Sequence, residues 1–101
     1  MGEVEGSRYM LFYVKARVNV AKLAEYGQAL ASGAITTHPL STYCLKDDPS
    51  VGLNIWEAPD RDGLDEAFAP HAPYLDALEI LHVVTANEAQ HMLIEGGRSG
   101  A

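Results

Sequence analysis

A chain of 101 residues is one domain, and an apolar fraction of 48% excludes disorder for the chain as a whole while leaving room for only a thin core. A formal net charge of −7, with the seven Lys and Arg scattered singly, argues against nucleic acid or an anionic membrane surface as a partner. The single cysteine, Cys44, excludes an internal disulfide and a cysteine-rich metal site, and it fits a reducing compartment. No apolar stretch approaches the roughly 18 residues of a membrane span, because Lys15 and Arg17 interrupt the best candidate. Residues 1–8 carry Glu3 and Glu5 where a signal peptide would be basic and then apolar. A cytoplasmic location is the expectation.

Residues 1–7 hold two Gly and two Glu and are expected to fray. From Tyr9 to Val20 the residues are mostly aromatic or β-branched. One parity (Met10, Phe12, Val14, Ala16, Val18) is wholly apolar and the other (Leu11, Tyr13, Lys15, Arg17) is mixed, which is the period of a strand. Asn19 is placed to cap a helix whose stripe is Leu23, Tyr26, Gly27 and Leu30, ending near Ser32-Gly33. Leu40 to Lys46 reads as a second strand and Val51 to Glu57 as a third. The turn chemistry of Asp47-Asp48-Pro49-Ser50 joins them as a hairpin. Asp60 or Asp62 caps a helix carrying Leu64, Ala67 and Phe68. Pro70 and Pro73 break its continuation toward Tyr74, Leu75 and Leu78. Glu79 to Thr85 is a short fourth strand, and Thr85 with Glu88 has the spacing of a capping box for a last helix, Ala86 to Ile94. Residues 96–101 are expected to be a disordered tail, which leaves 8–95 as the domain.

This order, β-α-β-β-α-β-α, is a split βαβ arrangement: an α+β, ferredoxin-like βαββαβ fold with an added C-terminal helix and an antiparallel sheet. Right-handed crossovers give the strand order 4-1-3-2. Helices cover one face of such a sheet and leave the other bare. The apolar parity of the first strand belongs under the helices. Leu11, Tyr13, Lys15 and Arg17 then lie on the open face, together with either Asn54 and Trp56 or Leu53 and Ile55 from the third strand. An exposed apolar patch of that kind marks an interface, and a second copy related by a two-fold axis is the expected cover. The alternative is that Trp56 and Tyr13 are core residues beneath the helices.

The segment Met10-Leu-Phe-Tyr-Val-Lys15 resembles the first strand of muconolactone isomerases. In order and length the chain is similar, over about residues 8–95, to the dimeric α/β-barrel superfamily, which includes antibiotic-biosynthesis monooxygenases. Ser41 to Pro49, Val51 to Glu57 and Ala69 to Tyr74 look like segments of an uncharacterised branch of it. The resemblance implies a homodimer with a cavity between its two sheets. It transfers no catalytic residue, since one fold hosts many chemistries.

Among residues able to carry chemistry, His82 stands alone in the apolar run Ile80-Leu-His-Val-Val84, where it is either a general base facing the void or a structural histidine. His71 lies between two prolines in Ala69-Pro-His-Ala-Pro73, a rigid loop that either presents the ring at a cavity mouth or leaves it in solvent. His38, ahead of Pro39, has the same two readings. His91 falls with Glu88 and Glu95 on a solvated helix face. Apart from Glu88 and His91, no histidines sit at metal-ligand spacing within one element, and no nucleotide-binding or serine-nucleophile motif occurs, so no cofactor is assigned. Haem enters only because some members of the superfamily bind it. Cys44 reads as a small buried hydrophobe.

The expected function is that of a small-molecule enzyme acting on an apolar or aromatic metabolite held between the dimer's sheets. Tyr13, Tyr43, Asn54 and Trp56 would shape the pocket, with His38 at its edge. Lys15 or Arg17 would hold a ligand oxygen, and His82 or His71 would move a proton. Lactone isomerisation and cofactor-independent oxygenation both fit that set. A non-catalytic binding or assembly module is the alternative. Convergence of His82, His71 and Arg17 on one void favours chemistry, and scatter favours the module.

Overall fold

The computed structural model describes residues 9–100, so the expectation for residues 1–7 lies outside the described residues. Four strands form one antiparallel sheet: β1 (Met10–Val18), β2 (Ser41–Cys44), β3 (Val51–Ala58) and β4 (Leu75–Val83). Their spatial order, β2-β3-β1-β4, is the order expected from right-handed crossovers. The helices are α1 (Leu23–Ser32), α2 (Arg61–Phe68) and α3 (Ala86–Gly100). The α+β, ferredoxin-like architecture expected from the sequence is the one observed.

The element ends follow local chemistry. Asn19 accepts from the Ala21 amide and opens a short 3-10 turn, Val20–Lys22, that leads into α1. Gly33 closes α1 at φ 85°, a left-handed position that only glycine takes without strain. Asp60 caps α2 by accepting from the Gly63 amide at 2.7 Å. Thr85 and Glu88 make the reciprocal capping box of α3, the Glu88 amide donating to Thr85 Oγ1 at 3.1 Å and the Thr85 amide to Glu88 Oε1 at 3.3 Å. That helix spans Ala86–Gly100, longer than the Ala86 to Ile94 expected from the sequence. Arg17 is bound to Asp48 at 2.8 Å, and Asp48 also takes Ser50 Oγ at 2.6 Å, which fastens the β2–β3 turn to β1. The Ser50 hydrogen bond, then Arg17, hold the Asp48 carboxyl below the usual carboxylate range.

Two local readings are corrected. Tyr74, Leu75 and Leu78 were expected to continue a broken helix, but the chain makes one 3-10 turn at Ala72–Tyr74 and enters β4 at Leu75. The cause is pairing: β4 lies antiparallel to β1 with Leu75 opposite Val18 and Leu78 opposite Ala16, and these ladder bonds outweigh a helical spacing interrupted by Pro73. Cys44 is exposed at the end of β2, not buried.

Phe12, Val14 and Ala16 are buried under the helices, as the parity of β1 requires, while Lys15 and Arg17 on the other parity are exposed. The sheet register decides the question left open for β3. Phe12 lies opposite Trp56 and Val14 opposite Asn54, so Trp56 and Asn54 are on the helix side, and Leu53 and Ile55 share the bare face with Tyr13 and Lys15. The core is Phe12, Val14, Ala16, Trp56 and Ala58 from the sheet, closed by Leu64 and Phe68 of α2. By contrast, α1 buries no residue fully. It stands off the sheet and leaves a space beneath its apolar stripe.

Candidate functional site

That space is a cavity of about 370 Å³ between α1, the β2–β3 side of the sheet and the loop carrying His71, a volume in the range of ligand sites. Leu23, Tyr26 and Leu30 of α1 form one wall. Asn54, Trp56 and Thr42 form the opposite one, and His38 and His71 belong to the same lining. The helix stripe read as core therefore faces an open volume. Among the described residues, none that lines it is Lys, Arg, Asp or Glu.

Among the described residues His71 is the buried polar one, 3% exposed. Its ring stacks on Phe68 and meets Trp56 and Tyr26 edge to face, with centroids 5.4 to 5.8 Å apart. The chain turns from α2 into the 3-10 turn with the His71 amide donating to the Phe68 carbonyl and the Tyr74 amide to the His71 carbonyl, so the ring is carried inward on a braced loop. Lys22 Nζ on the Pro73 carbonyl and the Asn19 amide on the Tyr74 carbonyl tie that loop to the start of α1. The same tie sets Tyr26 on Tyr74, stacked at 4.9 Å.

The hydrogen-bond inventory fixes the proton positions on His71. The Thr37 hydroxyl donates to the Ala67 carbonyl at 2.6 Å, so its oxygen is left only to accept. His71 Nε2 lies 3.0 Å from the Thr37 carbonyl and 3.1 Å from that hydroxyl oxygen, both acceptors, so Nε2 carries a hydrogen. In the neutral ring Nδ1 is then a bare base, and Tyr26 Oη, 2.6 Å away, donates to it. Burial pushes the His71 pKa below its ordinary value. The Thr37 carbonyl offsets part of that shift, and the nearby His38 adds to it. Burial pushes the Tyr26 phenol up. Both effects keep the pair neutral at rest. Trp56, 4% exposed, has a buried Nε1–H with no acceptor among the described residues, a donor that an ordered water or a ligand oxygen would satisfy.

The candidates read from sequence divide between the two faces. His71, His38, Asn54 and Trp56 come together at the cavity. Tyr13, Lys15, Arg17 and Tyr43 lie on the bare face instead, because β1 and β3 alternate, and Tyr43 pairs with Leu53 rather than with Asn54. Lys15 and Arg17 are thus not oxygen-holding groups of this cavity, and Arg17 is already engaged by Asp48. His82 sits opposite Phe12 on the helix side of the edge strand β4, exposed, with rings 5.3 Å apart. It faces no void between sheets and does not line the cavity, so the base assigned to it is withdrawn. His82, His71 and Arg17 do not converge.

Tyr26 and Thr37 were missed as site residues. Tyr26 read as part of an apolar helix stripe, although it is the one member of that stripe with a polar tip. Thr37 sits in an irregular loop with no local pattern. Among the described residues, no group of three His, Cys, Asp or Glu side chains is arranged to hold a metal ion, and no helix is long and apolar enough to cross a membrane.

No protein-family model matches the sequence, and neither does any curated protein. Among solved structures, a Bacteroides thetaiotaomicron VPI-5482 protein assigned to antibiotic biosynthesis monooxygenases superposes with a TM-score of 0.51, at 17% identity, over 79% of this chain and 91% of its own. At that identity the likeness establishes the fold that the two chains share.

Proposed function

We propose that the protein is a small-molecule enzyme that binds an apolar or aromatic metabolite in the cavity under α1 and removes a proton from it. The observation that carries this reading is His71: a buried imidazole with a bare Nδ1, held by Thr37 and aimed at Tyr26 in the wall of a ligand-sized void. Neutral, dry and braced, it has the attributes of a general base. Lactone isomerisation, and oxygenation by dioxygen without a cofactor, both begin with such a deprotonation. The assignment of the structural neighbour to monooxygenases favours the second.

Trp56, the single tryptophan and part of the cavity wall, reports binding. Titration with small aromatic compounds should quench or shift its emission saturably. Gly52→Leu should weaken this at least about tenfold, which corresponds to about 1.4 kcal/mol. A Cβ at Gly52 meets nothing closer than 3.7 Å, so the added side chain extends from the cavity wall without a backbone clash. Unchanged titrations in the variant would locate binding elsewhere. The scatter of His82, His71 and Arg17 favours a second reading, a binding module without turnover. Binding that survives while no aromatic ligand is ever converted would select it.

The same reading places a second copy of the chain on the bare face of the sheet. Leu81 and Tyr43 are well exposed there, and Leu11, Tyr13, Leu53 and Ile55 are half-buried beside them, a contiguous apolar surface of the kind that marks interfaces. Sedimentation equilibrium at micromolar protein should give about twice the 10.9 kDa chain mass. A monomer throughout that range would refute the dimer and leave the cavity, which lies on the other face, untouched. The reading includes a cytoplasmic location, which the free Cys44 supports.

A further inference from the structure

Resting on that reading of the cavity, we infer that Tyr26 is the residue that touches the ligand, and that the ligand is an uncharged phenol or enol whose hydroxyl proton passes through Tyr26 to His71. The direction of the hydrogen bonds leads to this. Thr37 fixes the hydrogen on Nε2, so the Tyr26 hydrogen points at Nδ1 and the Tyr26 oxygen is left only to accept. Among the described residues no donor reaches that oxygen, and Tyr26 is half-buried in the cavity wall, whereas His71 is covered by Phe68, Trp56 and Tyr26 itself. His71 borders the same cavity, but its Nδ1 is taken by Tyr26, so a ligand meets an acceptor at Tyr26 and reaches the base through it. Only a ligand with a hydrogen to donate completes the chain.

The step balances without a further reactant. The ligand O–H bond breaks and its proton bonds to Tyr26 Oη, while the Tyr26 proton bonds to His71 Nδ1. The electron pair stays on the ligand oxygen. The products are a ligand oxyanion and an imidazolium whose Nε2–H remains on the Thr37 carbonyl. The charge of the ligand follows from the lining. With no Lys or Arg among the described residues at the cavity, a ligand that arrives already anionic finds no cation to meet it, whereas one ionised in place faces the imidazolium it has just created. The titratable groups facing His71 are Tyr26 from α1 and His38 from the loop before β2, and neither is a carboxylate that would hold His71 charged beforehand.

The test uses the full chain and 4-nitrophenol, whose phenolate absorbs apart from its phenol, titrated with pH while bound. Wild type should ionise the bound probe at a pH about one unit below that of His71→Gln and of Tyr26→Phe, seen as roughly tenfold more phenolate at a pH below either midpoint. Gln keeps an N–H for Thr37 but sets no base opposite Tyr26, and Phe keeps the ring stacking on Tyr74, so a folded variant is available even if one substitution fails. Equal midpoints in wild type and a folded, probe-binding variant would overturn the relay while leaving the cavity as a ligand site. A midpoint shifted by His71→Gln but not by Tyr26→Phe would overturn it too, because the base would then act directly. Absence of probe binding to wild type would overturn the relay and the cavity reading together.

Discussion

Replacing Trp56 with Ala is expected to destabilise the domain by about 3–5 kcal/mol, toward the lower end of that range. The indole is 4% exposed, lies opposite Phe12 across the β1–β3 ladder, and meets Phe68 edge to face at 5.5 Å and His71 at 5.4 Å. Its loss leaves the aromatic cluster between sheet and α2 without its largest member. Two features hold the cost down. One side of the ring already borders the cavity, so the hole opens into existing space. The unpartnered Nε1–H also carries a penalty of about 1–3 kcal/mol that vanishes with the side chain. Trp56→Phe, which keeps much of the apolar ring and removes the orphan donor, should cost far less than Trp56→Ala. Urea unfolding measures both. A loss under about 1 kcal/mol for Trp56→Ala would mean that the indole is not part of the core.

The second large effect is expected at His71, and it depends on pH. Its folded-state pKa is depressed below the ordinary 6.5, mainly by burial. The unfolded chain therefore takes up the proton first as pH falls. The stability associated with the neutral ring is fully present above about pH 6.5 and is lost progressively as pH drops from there toward the folded-state value. His71→Gln should cost about 1–3 kcal/mol at pH 8, where the Tyr26 hydroxyl loses its acceptor. The gap between wild type and variant should narrow at pH 5, since only wild type loses the histidine contribution. Thermal melts across that range check the sign. A gap that widens on acidification would require His71 to be charged in the folded protein.

Strand order and caps were legible in the sequence because they rest on local chemistry: the parity of Phe12, Val14 and Ala16, the oxygens of Asn19, Asp60 and Thr85, and the glycine at position 33. The start of β4 was not, because Leu75 and Leu78 fit a helical spacing as well as a strand, and only their partners Val18 and Ala16 on β1 decide. The face of β3 was equally undecidable, since Leu53 and Ile55 are as apolar as Trp56. Its register against Phe12 moved Asn54 and Trp56 to the helix side and carried the pocket with them. His71 was visible through its bracing prolines. Tyr26 and Thr37 were not, because their roles exist only once α1 and the loop before β2 approach His71 from two sides. His82, a lone imidazole in an apolar strand, reads as a base in the sequence, but β4 sets it opposite Phe12 on an exposed edge, away from the cavity. Residue chemistry alone does not tell a cavity wall from the outer edge of a sheet.

The measurement closest to the central claim is the nitrogen-15 NMR of the His71 ring, assigned by comparison with His71→Gln and followed from pH 8 to pH 5. The account predicts a neutral ring with a protonated Nε2 and a bare, hydrogen-bonded Nδ1, which takes up a second proton only below the ordinary histidine value of 6.5. A protonated Nδ1 in the neutral ring, or a His71 titration at or above that ordinary value, would contradict it. Either result would remove the base on which the proposed chemistry depends.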